Sequence, residues 1–285
     1  MYLPEIPAKI VTGRMHFLAR DPKYLREKPY TLRYAPAPED GFPQSNIDRV
    51  QHQLTFHDLR LHSELEYGRA GFMVSECLSL MQYEDYADNK KIETIHAGEV
   101  TKAVRQALRA ASVDLLDYVV RRRHPTWPIA TGETYAFNQP ASGAHIDHTY
   151  EGGRAIIRET YGELADTILK GRWHVWHPLQ GPLIDWPLAL CDAETVDFAA
   201  DAMPGDVVDR DNVFENTQIH YNPNQKWYYV SNQLPTELII FKNADSEEGN
   251  GATAGVPHAS FDNPLVKETD ILRESIEMRV LVQWK

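Results

Sequence analysis

The segment His145-Ile146-Asp147 sets an imidazole and a carboxylate two residues apart. Residues two apart on an extended strand share a face, so His145 and Asp147 can aim a ring nitrogen and a carboxylate oxygen at one point. Two neutral imidazoles and one carboxylate on a triangular face suit a divalent iron, and they leave the opposite positions open for a co-substrate and oxygen. The pair alone is a weak signal, because a chain with 12 His contains such a spacing by chance, and His62-Ser63-Glu64 shows the same coincidence. Its context strengthens it: Phe137-Asn138-Gln139-Pro140 leads in, and the segment opens a β-rich stretch. The third ligand must come from elsewhere. His258, in Gly255-Val256-Pro257-His258-Ala259-Ser260-Phe261, has strand-like neighbours, and a long separation is expected of ligands on opposed strands. His220, in Gln218-Ile219-His220-Tyr221-Asn222, competes with it, since most lone histidines are hydrogen-bonded core or surface groups.

A second pattern lies near the C-terminal end. Arg273, Ser275, Glu277 and Arg279 recur at every second position, which puts two guanidiniums, a hydroxyl and a carboxylate on one side of a strand. A guanidinium offers a rigid pair of N–H groups to a carboxylate and a hydroxyl adds a third hydrogen bond, so the array suits the distal carboxylate of a dicarboxylic co-substrate. The competing reading is a solvated edge strand with a Glu277–Arg279 pair.

The elements that must carry these groups are short. Strand composition appears at 113–120, 173–176, 226–231, 237–241, 255–261 and 275–284, with turn residues at Asn222-Pro223-Asn224 and Glu248-Gly249-Asn250-Gly251. Ile92, Val100, Val104 and Leu108 predict a helix over 92–111, and Ile157, Tyr161, Leu164 and Ile168 predict another from Arg154 to Lys170, stopped at Gly171. Many short strands with long connections read as a sandwich or barrel. The first ninety residues, rich in Pro, Tyr and charge, are expected to wrap a core rather than form one. No clear linker divides the chain, so 1–285 is read as one domain, with 1–95 as an N-terminal wrap and 96–285 as helices plus a β-core.

Composition removes several classes. The hydrophobic share of 42% and charged share of 25% are those of a folded globular protein. A net charge of −12 opposes a phosphate backbone, so no nucleic-acid partner is expected. The start Met1-Tyr2-Leu3-Pro4-Glu5-Ile6-Pro7 has no leader pattern, and no apolar run reaches the roughly 20 residues needed to cross a bilayer. Cys77 and Cys191 cannot build a disulfide framework, so a reducing, cytoplasmic setting without membrane contact is expected, as monomer or homodimer.

The order His145-x-Asp147, Trp176-x-Pro178-Leu179, the run Gly181 to Asp192, Trp227-Tyr228-Tyr229, Pro257-His258-Ala259-Ser260-Phe261 and Arg273 to Arg279 resembles the fungal hydroxylase/desaturase family, which includes gibberellin-desaturase-like and cephamycin methoxylation-like proteins. Arg20 to Tyr24 and Glu27 to Tyr30 extend the similarity over almost the whole chain. The resemblance implies a mainly β fold with flanking helices, a double-stranded β-helix (jelly roll, cupin-like), and a non-haem Fe(II) site that uses 2-oxoglutarate and O2 to oxidise a small molecule in fungal secondary metabolism. It implies His145, Asp147 and His258 as iron ligands and Arg273 with Ser275 as the grip on 2-oxoglutarate, with Arg279 as the rival anchor. The chain departs from the family where Asn-x-Trp-Arg-Pro is common, having His174-Val175-Trp176-His177-Pro178; that change is expected to touch substrate contacts and not the metal site.

The leading expectation is therefore a dioxygenase acting by hydroxylation, desaturation or oxidative rearrangement on a small, largely apolar natural product, with Phe137, Trp176 and Tyr228 as candidate pocket walls. The alternatives are a metal-free jelly-roll binding protein and a zinc hydrolase using the same three ligands.

Overall fold

The computed structural model describes residues 10–65, 67–129, 135–165, 172–245 and 255–284. The expected features at Met1 to Pro7, 166–171 and 248–251 lie outside these residues.

Among the described residues the chain forms two sheets. The larger has the order β1 (Ile10–Leu18), β3 (Arg49–Asp58), β11 (Trp227–Tyr229), β8 (Leu188–Cys191), β13 (His258–Ser260), β6 (His145–Ile146), β10 (Val213–Ile219), β9 (Ala202–Val208) and β2 (Tyr30–Leu32). The smaller has the order β4 (Phe72–Glu76), β12 (Glu237–Ala244), β7 (Arg172–Pro178), β14 (Glu274–Gln283) and β5 (Ser112–Arg122). The two sheets curl towards each other into the jelly roll expected of the chain.

Strand alternation sorts the side chains into layers. On β8, Ala189 and Cys191 join Met15, Phe17, Phe56, Trp227, Ala259 and Phe261 in a core on one face of the large sheet. Leu188 and Leu190 point the other way and meet Trp176, Ile239, Phe241, Val256 and Tyr228 between the sheets. His145 and His258 alternate with Ile146 and Ala259 of the first core, so they share the face that looks at the small sheet. The outer face of the small sheet, Val175, Leu238, Ile240, Ile276, Met278 and Val280, is covered by Val100 and Val104 of the helix Ala97–Ala107. Burying each such side chain contributes about 1.5–3 kcal/mol, and together they hold β7 and β14 in place behind the site.

Two sequence-based expectations are corrected. The N-terminal segment does not merely wrap: β1 and β3 pair over nine residues, from Ile10↔His57 to Leu18↔Arg49, and contribute Val11, Met15, Phe17, Leu54 and Phe56 to a buried core. Its period-two pattern is broken by Gly13 in the buried row and by apolar Ile10 and Val50 at exposed positions. The helix expected from Arg154 begins at Tyr150, because Thr149 accepts a hydrogen bond from the Gly152 N–H and caps it, and it ends at Gly162, which takes φ +56°. Asp147 therefore stands in the three-residue step between β6 and a capped helix start.

Candidate metal centre

β6 and β13 are antiparallel neighbours, and His145 and His258 are directly opposed across them. Their ring centroids lie 4.5 Å apart. His145 Nδ1 donates to the Gly143 carbonyl (2.7 Å) and His258 Nδ1 to the Val256 carbonyl (3.0 Å). A carbonyl can only accept, so each Nδ1 carries a proton, which leaves Nε2 as the ring atom turned towards Asp147. Those Nε2 atoms stand 3.1 Å and 3.8 Å from Asp147 Oδ1. One ligand atom from each of the three residues falls within 4.8 Å of the others. Burial and the neighbouring His145 push His258 down to about 4, so its ring is neutral at physiological pH. Burial alone would raise Asp147, but the imidazoles of His174, His145 and His258 outweigh it and hold the carboxyl well below its ordinary range. Two imidazole nitrogens and one ionised oxygen donor therefore point at a common place, a donor set that fits Fe(II). His220 is elsewhere: it follows β10 and bonds through Nδ1 to the Leu18 carbonyl at 2.9 Å. His62 and Glu64 form a separate pair with each other.

The family departure at His174 bears on this centre, contrary to expectation. Period two on β7 turns His174 and Trp176 inward, and His174 Nδ1 comes within 3.3 Å of Asp147 Oδ2, the oxygen turned away from His145. His177 points outward, where its Nε2 meets His96 Nε2 at 2.9 Å under the helical layer.

A cavity runs from His145 and His258 to Arg273, walled by Trp176, Phe241 and Leu188. Arg273 is buried, with Nη1 donating to the Trp186 carbonyl (2.7 Å) and the Ser260 hydroxyl, and with its guanidinium over the Trp176 ring at 4.8 Å. Ser275 Oγ is 3.5 Å from its Nε, and the Arg273 backbone N–H donates to Asp185 (2.8 Å). Burial and the facing Arg121 pull Arg273 down to about 9, which leaves it charged at neutral pH. Its side chain is thus held directly by neutral oxygens and an aromatic face, with the Glu277 and Asp185 carboxylates nearby but no ion pair to either among the described residues.

Arg279 is differently engaged. It pairs with Asp117 on β5 and its Nη1 lies 3.8 Å from Asp147 Oδ2, on the metal side of the stripe. Between them Glu277 faces Arg121 at 3.3 Å rather than pairing with Arg279. The edge-strand reading is corrected too, since β14 runs between β7 and β5 with its polar stripe turned inward. Of the aromatic candidates, Trp176 lines the cavity. Tyr228 packs between Phe72, His57 and His62, and Phe137 is 49% exposed against Arg122 on the outer side of β5. Sequence reasoning missed Arg121 and Ser260. The signal for Arg121 was alternation within Arg121-Arg122-Arg123, which turns Arg121 to the side of Glu277.

The fold and this cluster define an oxidoreductase of the Fe(II)/2-oxoglutarate-dependent dioxygenase class, which works with Fe(II), 2-oxoglutarate and O2. The chain belongs to the family described as "Oxidoreductase/YMDC permease-like domain", which matches residues 15–283. Among the described residues no helix is long and apolar enough to cross a membrane. The chain is 29% identical over 265 residues to the Fe(II)/2-oxoglutarate-dependent dioxygenase nvfI of Aspergillus novofumigatus, covering 88% of this chain and 90% of that one. It is 31% identical over 159 residues to the hydroxylase/desaturase efuI of Hormonema carpetanum, covering 51% and 52%. The solved structure of the iron and alpha-ketoglutarate-dependent endoperoxidase NvfI superposes with a TM-score of 0.81 at 28% identity, covering 97% of this chain and 98% of that one. These relatives favour neither a metal-free binding protein nor a zinc hydrolase.

Proposed function

We propose that His145, Asp147 and His258 hold Fe(II), that Arg273 with Ser275 and Ser260 receives the distal carboxylate of 2-oxoglutarate, and that the protein oxidises a small natural product in fungal secondary metabolism by hydroxylation, desaturation or oxidative rearrangement. The observation that carries this reading is the placement of a buried guanidinium, Arg273, with no ion pair to a carboxylate among the described residues, in the same cavity as the opposed His145 and His258. Bound in this way, iron supplies oxygen activation coupled to decarboxylation of 2-oxoglutarate. The chain's own residues do the positioning. The Gly143 and Val256 carbonyls fix both imidazole tautomers, and His174 steadies the outer oxygen of Asp147. Trp176, Phe241 and Leu188 keep water from the space between metal and co-substrate. Arg279, already paired with Asp117, is assigned to the metal-side carboxylates and not to the co-substrate.

Incubation with Fe(II), ascorbate, 2-oxoglutarate and O2 tests the reading through succinate formation. Succinate that depends on all of Fe(II), 2-oxoglutarate and O2 supports it; none above a metal-free control sinks it.

A further inference from the structure

A second cavity, of about 330 Å³, shares His145 as a wall with the metal centre. It opens between the N-terminal segment, at Thr31, Ser45 and Arg49, and the strands β6 and β10, and it falls within the usual range for small-ligand pockets. Its lining is largely polar and contains no acidic residue. Arg49 is the one Lys or Arg side chain in its lining, and it is placed rather than loose. Its Nη2 donates to Gln218 Oε1 (3.0 Å), and Gln218 Nε2 in turn donates to Asn216 Oδ1 (3.0 Å). Gln218 and Asn216 are both buried, so this relay fixes the plane of the guanidinium. Gly143 lies directly beneath, where any β-carbon would collide with Arg49 Nη1 and Cζ. The guanidinium therefore rests on bare backbone two residues before His145. Its hydrogen-bond partners are neutral, and no carboxylate pairs with it among the described residues.

We propose that this cavity is the substrate site and that Arg49 binds a carboxylate on the substrate. The inference rests on the iron reading of His145, Asp147 and His258 and adds the substrate class: a small carboxylic acid in place of the largely apolar molecule expected from sequence. A planar guanidinium with one edge tied to Gln218 offers its remaining N–H groups to a carboxylate in a forked geometry. Gly143 and His145 are two residues apart in extended chain, about 7 Å, so the carbon delivered to the metal lies only a few bonds from the anchored carboxylate. Asn216, Ser45 and Thr31 supply further polar contacts along the wall.

The test uses the full chain loaded with Mn(II) and saturated with 2-oxoglutarate under anaerobic conditions. Two probes, para-trifluoromethylbenzoate and its neutral benzamide, are followed by fluorine NMR for relaxation caused by the metal. Metal-dependent relaxation of the benzoate is expected in the wild type, with affinity at least about ten-fold weaker in Arg49→Gln, while Arg49→Lys falls between and the benzamide shows no difference between wild type and Arg49→Gln. Equal benzoate relaxation in wild type and Arg49→Gln, or none in the wild type at millimolar probe, overturns the proposal. The charge-transfer band of Fe(II) with 2-oxoglutarate, recorded on the same proteins, separates the two levels. A wild type without that band fails the underlying iron reading, and a band retained in Arg49→Gln shows that a lost benzoate signal is local to Arg49 and not unfolding.

Discussion

His145 and His258 stand directly opposite each other on β6 and β13, and each ties its Nδ1 to the carbonyl two residues before it in its own chain, Gly143 for one and Val256 for the other. This matched arrangement fixes both tautomers with backbone atoms alone, so it survives substitution of most neighbouring side chains. His145→Ala, Asp147→Ala and His258→Ala are each expected to lose stoichiometric metal and turnover while keeping the native circular dichroism spectrum. His220→Ala, which removes a hydrogen bond to the Leu18 carbonyl, keeps the metal. Metal content after gel filtration checks this; loss in His220→Ala with retention in His258→Ala would reassign the third ligand.

Arg273→Lys keeps a charge but loses the fork, and it is expected to raise the KM for 2-oxoglutarate at least about ten-fold with metal content unchanged. Ser275→Ala is expected to move the same parameter less, because its hydroxyl lies 3.5 Å from Arg273 Nε. Arg279→Lys should leave that KM near the wild-type value. Succinate formation at varied 2-oxoglutarate decides, and a larger change in Arg279→Lys than in Arg273→Lys would exchange their roles.

The buried pair His96 and His177 sets a pH limit on stability. Burial pushes His96 down to about 4, and burial with the facing His96 pushes His177 down to about 3, from an ordinary 6.5. Between these values the unfolded chain binds protons that the folded chain refuses. Stability is therefore full above pH 6.5 and declines as pH falls below it, by up to about 1.4 kcal/mol per pH unit for each group. Urea unfolding of wild type and His177→Phe at pH 7 and 5 measures this: the wild type should lose more than the variant between the two, and equal losses would refute the assignment.

Phe56 is fully buried and stacks on Phe261 with centroids 3.8 Å apart. Phe56→Ala should cost about 3–5 kcal/mol if β1 and β3 belong to the core. A cost below about 1 kcal/mol, typical of surface sites, would return the N-terminal segment to the role of a wrap.

The parts of the site that sequence revealed were those governed by period two. His145 on β6 and Ser275, Glu277 and Arg279 on β14 take their faces from local geometry, while Asp147 stands just past the end of β6 and Arg273 just before the start of β14. The pairing of β6 with β13, which brings His258 and not His220 opposite His145, depends on long-range register that no local pattern encodes. Arg49 and His174 were illegible for the same reason: each becomes meaningful only when β3 or β7 is set against β6. The early strands β1 and β3 were hidden because Gly13 and His52 interrupt the apolar rows ending in Phe17 and Phe56, and Ile10 and Val50 stand at exposed positions.

The central claim is that His145, Asp147 and His258 hold an iron to which 2-oxoglutarate binds. Anaerobic titration of 2-oxoglutarate into Fe(II)-loaded protein, followed by the visible metal-to-ligand charge-transfer band, tests it most directly. A saturable band in the wild type that vanishes in Asp147→Ala and His258→Ala is the expected result. A wild type with no band, or a band that persists in either variant, contradicts it.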